Sequence, residues 1–329
     1  VGSADIDSDG DTDIVVGAVG KTVWYENDGS ENFTYHLIEA KNCLDINTID
    51  FDLDGDMDVI SCNGDQNDFI AWYENDGSEN FTRHNATVGD YPLSADAADV
   101  DGDGDIDMLG TFRDNNTVYW YENQGDDVSF TSHVVDNSVG HAGDVAPIDI
   151  DGDGDMDILA VGDSEHYVRL YVNDGSENFT SQDLGYLQGS LKVEAVDFDN
   201  DGNIDVAASG VTAGEIHWYK NDGNLNFSDF IVASSVDYPR SIHIGDINSD
   251  GASDIVSGII TDDDVIWFAN DSDPLPAPDI TVAGSVAFDG KEINQAHTAT
   301  LNIANDGDVV LNVSDISVTG GGFTTDFGG

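Results

Sequence analysis

Six copies of one nine-residue acidic loop recur along the chain, and their spacing restricts the fold more than any other feature. Each reads D-x-[DN]-x-D-G-x-x-D. The copies begin at Asp5, Asp50, Asp99, Asp149, Asp197 and Asp246, with successive starts 45, 49, 50, 48 and 49 residues apart. A near-constant period of this length marks a repeat architecture, in which each unit buries its apolar face against its neighbours.

The odd loop positions carry the chemistry. They are Asp5, Asp7, Asp9, Asp11 and Asp13; Asp50, Asp52, Asp54, Asp56 and Asp58; Asp99, Asp101, Asp103, Asp105 and Asp107; Asp149, Asp151, Asp153, Asp155 and Asp157; Asp197, Asp199, Asp201, Asn203 and Asp205; and Asp246, Asn248, Asp250, Ala252 and Asp254. Alternate residues of a tightly curled loop can aim at one centre, and the Gly at position 6 permits the turn. Position 7 is expected to offer its backbone carbonyl, which explains why Asn203 and Ala252 are tolerated there. Two unit charges about 4 Å apart repel by roughly 4 kcal/mol at an effective dielectric of about 20, so gathered carboxylates call for a cation. All-oxygen ligand sets favour Ca²⁺ over zinc or copper. One such loop alone leaves room for a solvated acidic turn; six in register point to about one Ca²⁺ per repeat. The sixth copy departs furthest from the pattern.

These loops are not EF-hands, which need a Glu at position 12 and flanking helices. Position 12 is Val16, Ser61, Gly110, Ala160, Ala208 and Ser257. Apolar runs such as Ile14-Val15-Val16 follow the loops and alternating runs such as Ser241-Ile-His-Ile244 precede them, so each loop caps a β-hairpin. A third strand then carries an aromatic pair: Trp24-Tyr25, Trp72-Tyr73, Trp120-Tyr121, Trp218-Tyr219 and Trp267-Phe268, with Leu170-Tyr171 in the fourth copy. An Asn-Asp-Gly turn leads to a fourth strand beginning Phe-Thr. Four short antiparallel strands per repeat make a β-propeller blade, and one ring of each pair is expected to fill the gap between blades. His36, His84 and His133 each fall three residues after the blade's Phe and read as repeat positions.

The loop and its period together resemble the FG-GAP/VCBS repeat family, including the calcium-binding blades of integrin α-subunit heads and of many secreted bacterial proteins. The resemblance covers roughly residues 1–271. It implies that the metal loops lie between the first two strands of each blade, on one face; ligand recognition in such propellers usually lies on the other, and nothing in the repeat itself transfers that function. Here the first repeat begins almost at its loop and the last has no Phe-Thr strand, which leads to the expectation of a longer parent chain whose upstream stretch completes the last blade, with six or seven blades in the parent left open.

A Pro-rich linker over 272–279 precedes a second segment, 280–329. Its run Thr298-Ala-Thr-Leu-Asn-Ile303, then Asn305-Asp-Gly307 and Val309-Val-Leu-Asn-Val313, resembles the immunoglobulin-like choice-of-anchor modules of secreted bacterial proteins. About 50 residues imply only part of such a β-sandwich. The expected fold class is therefore all-β.

The net charge is −58, with nine Lys and Arg residues. That excess argues against nucleic acid and anionic membrane as partners, and it fits a marine or high-salt setting where charges are screened. Calcium loops of this kind point to an extracellular or cell-surface location, because extracellular sites work at about 10⁻⁴–10⁻³ M Ca²⁺. Cys43 and Cys62 flank the second loop, and whether they are bonded is left open.

No catalytic constellation is apparent. The first functional expectation is a non-enzymatic binding or adhesion module for a protein or glycan, part of a larger surface assembly. Candidate contacts lie in the loops opposite calcium: Tyr91, Arg113, His141, His166, Tyr186, Tyr238 and Arg240. The alternatives are a polysaccharide lyase or hydrolase using His141, His166 and Arg113, or a purely structural component of a surface fibre.

Overall fold

In the computed structural model, residues 1–30, 32–64, 68–88, 91–260 and 264–270 are described, together with the backbone of 280–283 and 302–305. The chain divides into two compact units, 1–272 and 273–329.

The first unit is an all-β, six-bladed propeller, and its described residues contain no helix. Blade one comprises β1 (Gly2–Ala4), β2 (Asp13–Ala18), β3 (Lys21–Asn27) and β4 (Phe33–Glu39). Blade two comprises β5 (Asp45–Ile49), β6 (Asp58–Asn63), β7 (Phe69–Asn75) and β8 (Phe81–Val88). Blade three comprises β9 (Pro92–Ala98), β10 (Asp107–Phe112), β11 (Thr117–Asn123) and β12 (Phe130–Asp136). Blade four comprises β13 (Ala142–Ile148), β14 (Asp157–Gly162), β15 (Tyr167–Asn173) and β16 (Phe179–Tyr186). Blade five comprises β17 (Ser190–Val196), β18 (Asp205–Gly210), β19 (Glu215–Asn221) and β20 (Phe227–Ser234). Three strands of blade six are described: β21 (Pro239–Gly245), β22 (Asp254–Ile259) and β23 (Asp264–Phe268). Every sheet is an antiparallel meander in chain order.

A blade packs on both faces, which explains why its second strand lacks alternation. Every residue of β6, β10, β14 and β18 is buried. Their sequences are continuous runs of apolar and small residues, as a strand covered on both sides requires. At five seams both the first ring position of one blade and the second of the next enter the core. Trp24 meets Tyr73, and Trp72 meets Tyr121. Trp120 meets Tyr171, Leu170 meets Tyr219, and Trp218 meets Phe268. The first ring faces forward to the next blade and the second faces back. His36, His84 and His133 stack on Trp24, Trp72 and Trp120 at 4.3, 4.9 and 4.4 Å, and each bonds a Glu one strand away.

Those five cores join six blades. Among the described residues no such core joins blades six and one. Trp267 is 47% exposed, Ile247 51% and Ile14 37%, whereas their counterparts Trp72, Phe51 and Val59 are buried.

The first strands line the axis. Lys192 on β17 lies 2.8 Å from Asp144 on β13 and 3.4 Å from Asp45 on β5. Ser94 Oγ sits between the same two carboxylates, at 2.7 and 2.8 Å. Cys43 and Cys62 are both buried free thiols. Cys43 Sγ packs where a Cβ on Gly17 would stand and donates to the Asp45 carbonyl at 3.2 Å.

Of the second unit, β24 (Ile280–Ala283) and β25 (Asn302–Asn305) form an antiparallel pair. The linker and the rest of the expected immunoglobulin-like segment lie outside the described residues.

Candidate metal centres and the opposite face

Each acidic loop joins the first two strands of its blade, and the backbone folds the same way six times. The position-1 carboxylate of Asp5, Asp50, Asp99, Asp149, Asp197 or Asp246 accepts the N–H of the loop's position-6 glycine. The position-5 carboxylate of Asp9, Asp54, Asp103, Asp153, Asp201 or Asp250 accepts the N–H of position 7. These bonds are local Asx-type turns, the reason Asp recurs where the chain curls.

Position 9 is a buried staple. Asp58 accepts the Phe51 N–H through Oδ2 at 2.8 Å and the Asn75 N–H through Oδ1 at 2.7 Å, tying the loop to the end of the aromatic strand. Asp13, Asp107, Asp157, Asp205 and Asp254 repeat both bonds. The Asn at this strand end also locks blades together. The Asn75 side chain donates to the Ile6 carbonyl, Asn173 to Val100 and Asn270 to Phe198, each in the preceding blade.

The loops bring three carboxylates together in five of the six copies. These are Asp5, Asp7 and Asp13; Asp50, Asp52 and Asp58; Asp99, Asp101 and Asp107; Asp149, Asp151 and Asp157; and Asp197, Asp199 and Asp205. Within each trio, ligand oxygens lie within 4.8 Å of one another. Two of these oxygens, Asp50 Oδ1 and Asp199 Oδ1, are buried with no hydrogen-bond partner. The charges are uncomfortable there. Burial, then neighbouring carboxylates, raises the pKa of Asp7, Asp52, Asp101 and Asp151. Burial pushes Asp58 and Asp107 up to about 7, and Asp157 and Asp205 to about 6, against the N–H bonds that hold them down. These residues can hold a metal ion, and a divalent cation relieves the clash of like charges.

The side chains at positions 5 and 7 also make local contacts. The position-5 side chains bond their own loop. The position-7 side chains of Asp11, Asp56, Asp105, Asp155 and Asn203 press against the turn glycine of the next hairpin: Gly29, Gly77, Gly125, Gly175 and Gly223. In the sixth copy Asn248 accepts the Asp250 N–H, Ala252 is buried, and no carboxylate trio forms among the described residues. In the fifth, Lys220 reaches over the loop, bonding Asp199 Oδ2 and standing 3.0 Å from Asp201 Oδ2. The sequence pattern did not anticipate this; the signal was a Lys where blades one to three have Glu26, Glu74 and Glu122.

Because each first strand runs toward its acidic loop, the residues before that strand lie at the opposite end of the blade. So do the turns joining second and third strands. The candidate contacts therefore share one face. Tyr91, His141 and Tyr238 precede β9, β13 and β21, all with left-handed backbones at φ 54°, 50° and 57°. Arg113 and His166 lie in second turns, Tyr186 ends β16, and exposed Arg240 opens β21. The connectors that lead from one blade to the next are tied down here. The Arg113 N–H donates to the Tyr91 carbonyl, and the His141 N–H to Asn116 Oδ1. His141 Nδ1 also bonds Asp163 at 2.9 Å.

A lectin from Agrocybe aegerita, whose structure concerns specific recognition of non-reducing terminal N-acetylglucosamine, superposes with a TM-score of 0.55 at 19% identity, covering 78% of this chain and 73% of the lectin. A Lactobacillus plantarum protein superposes at 0.49 and 14% identity, covering 78% and 81%. No curated protein sequence matches the chain. Residues 5–61, 50–110, 99–160, 149–208 and 197–257 each match the FG-GAP-like repeat. The chain belongs to the FG-GAP-like repeat family.

Proposed function

We propose that this chain is a calcium-stabilised, non-enzymatic binding module that works outside the cell, where it presents the loops opposite its metal centres to a glycan or protein ligand. The observation that carries this reading is the repeated carboxylate trio, with unpaired buried oxygens on Asp50 and Asp199. The position-1, position-3 and position-9 aspartates would hold Ca²⁺, which supplies charge compensation and rigidity. Oxygen donors and the absence of His or Cys from the trios suit a hard cation. Sites of this class fill at the Ca²⁺ levels of extracellular fluid.

Metal loops recur in nearly every blade, so they serve the fold. The opposite-face loops differ from blade to blade, which suits recognition. The propeller shared with an N-acetylglucosamine-recognising lectin favours a sugar ligand. The strong negative charge favours neutral over anionic ligands.

Calorimetric titration of chelator-treated protein with CaCl₂, followed by thermal unfolding, tests the first half. The expected result is uptake of several ions and a melting temperature that rises with Ca²⁺. Unfolding that ignores both Ca²⁺ and EDTA would sink it.

A further inference from the structure

Blade four differs from blade five on the face opposite the metal loops. Two turn positions there need a left-handed backbone. Blade five fills both with glycine, Gly189 (φ 72°) and Gly214 (φ 67°). Blade four fills the equivalent positions with His141 (φ 50°) and His166 (φ 68°). A bulky residue in this region costs on the order of 1–3 kcal/mol, and blade five demonstrates that the turns form without side chains. Blade three also fills both positions with larger residues, Tyr91 (φ 54°) and Asn116 (φ 59°), so it is the groups around the two imidazoles, and not their backbone, that set blade four apart.

What surrounds them is an exposed, ordered patch. Tyr186 is 55% exposed and Tyr167 38%, and the two pair across β15 and β16. Their rings meet edge to face with centroids 5.7 Å apart, and His166 meets Tyr186 the same way at 5.5 Å. The Gly189 N–H donates to His166 Nδ1 at 3.0 Å, which fixes the tautomer and leaves Nε2–H as a donor. Asp163, in the same turn as His166, holds His141 through one oxygen. The patch thus offers a rigid aromatic surface beside one oriented N–H donor and a carboxylate acceptor.

Building on the reading of the chain as a binding module, we propose that His141, Asp163, His166, Tyr167 and Tyr186 form the binding site for a neutral pyranose. The apolar C–H face of a sugar packs on an exposed tyrosine ring. Its hydroxyls bond carboxylate and imidazole groups, the carboxylate bonds being the stronger. Asp163 and the net charge of −58 repel carboxylated or sulfated sugars. Tyrosine loses little conformational freedom on binding, which suits a preformed site.

The test is calorimetric titration of the whole chain at saturating Ca²⁺ with N-acetylglucosamine, N-acetylgalactosamine, glucose, galactose, mannose and fucose in turn. At least one is expected to bind, and Tyr186→Ala and His166→Gly are each expected to weaken that binding by about tenfold or more, as loss of a central contact does. His166→Gly is also expected to hold or raise the melting temperature, because glycine takes this backbone without strain. A merely structural His166 would show the opposite pairing, with stability lost and binding intact. Sugar binding that survives either substitution within about twofold would overturn the site but leave a glycan-binding module standing. No binding of any of the six sugars would overturn the site and the glycan reading together.

Discussion

Gly77 and Asp56 meet at the mouth of the second metal loop: a Cβ on Gly77 would lie 2.3 Å from Asp56 Oδ2, with the glycine at φ 68°. The position-7 side chain therefore couples the metal loop to the hairpin turn beside it. Gly77→Ala is expected to destabilise the protein by about 1–3 kcal/mol, from backbone strain plus the displaced carboxylate. Asp56→Ala removes the collision but not the strain, so the double variant is expected to recover part of the loss. A urea-unfolding double-mutant cycle measures that coupling. Strictly additive effects would mean the two residues do not sense each other.

Much of this was legible in the sequence. The period, the hairpin turns and the aromatic pairs specify a blade, because each is a local signal repeated in most of the copies. The trio at positions 1, 3 and 9 was hidden among five candidate positions per loop. Alternation alone does not say which side chains converge and which, like Asp54 and Asp103, turn back to cap their own loop. The depth of Asp58 was equally hidden, because its burial comes from the partner strand that ends at Asn75. The left-handed backbone at His141 and His166 was invisible for a related reason. Histidine carries no turn signal, and only comparison with Gly189 and Gly214 exposes the conformation.

Acid should act in opposite directions with and without calcium. Burial raises the folded-state pKa of Asp58 and Asp107 to about 7 and of Asp157 and Asp205 to about 6, above the ordinary carboxylate value of 3.8. Groups raised in this way give the metal-free fold stability at low pH, and that stability is lost as pH rises through 6 to 7. In EDTA the melting temperature is therefore expected to be higher near pH 5 than near pH 8. With saturating Ca²⁺ the trend reverses, because the cation needs ionised ligands. Scanning calorimetry at both pH values, with and without metal, reads the sign directly. A chelated protein that melts higher near pH 8 contradicts the assignment.

Loop five carries its own cation. Lys220 bonds Asp199 and lies 3.0 Å from Asp201, holding the Asp201 carboxyl below its usual range. An incoming metal must displace the ammonium or share the site with it, so this site should be the weakest of the five carboxylate trios. Lys220→Met is expected to tighten it by on the order of tenfold, an effect that fades in high salt. Titration with Tb³⁺, read by luminescence, should show one weak step in the unaltered protein that merges with the others in the variant. An unchanged binding curve would mean that Lys220 swings away at no measurable cost.

The open seam makes a fluorescence prediction. Of the five tryptophans, Trp24, Trp72, Trp120 and Trp218 are buried in cores between blades, while Trp267 is 47% exposed. Ile247 and Ile14, on the two faces of the same seam, are exposed with it. Acrylamide should therefore quench one tryptophan component readily and the rest weakly. Trp267→Phe should abolish the accessible, red-shifted part of the emission without lowering the melting temperature by more than about 1 °C, because that ring fills none of the cores among the described residues. The same substitution in Trp72, which stacks on Phe51 and His84 and bonds the Asp127 carbonyl of the next blade, should cost about 1–3 kcal/mol. If all five tryptophans resist the quencher, something covers Trp267 in solution, and the seam is closed by a contact other than the five cores seen here.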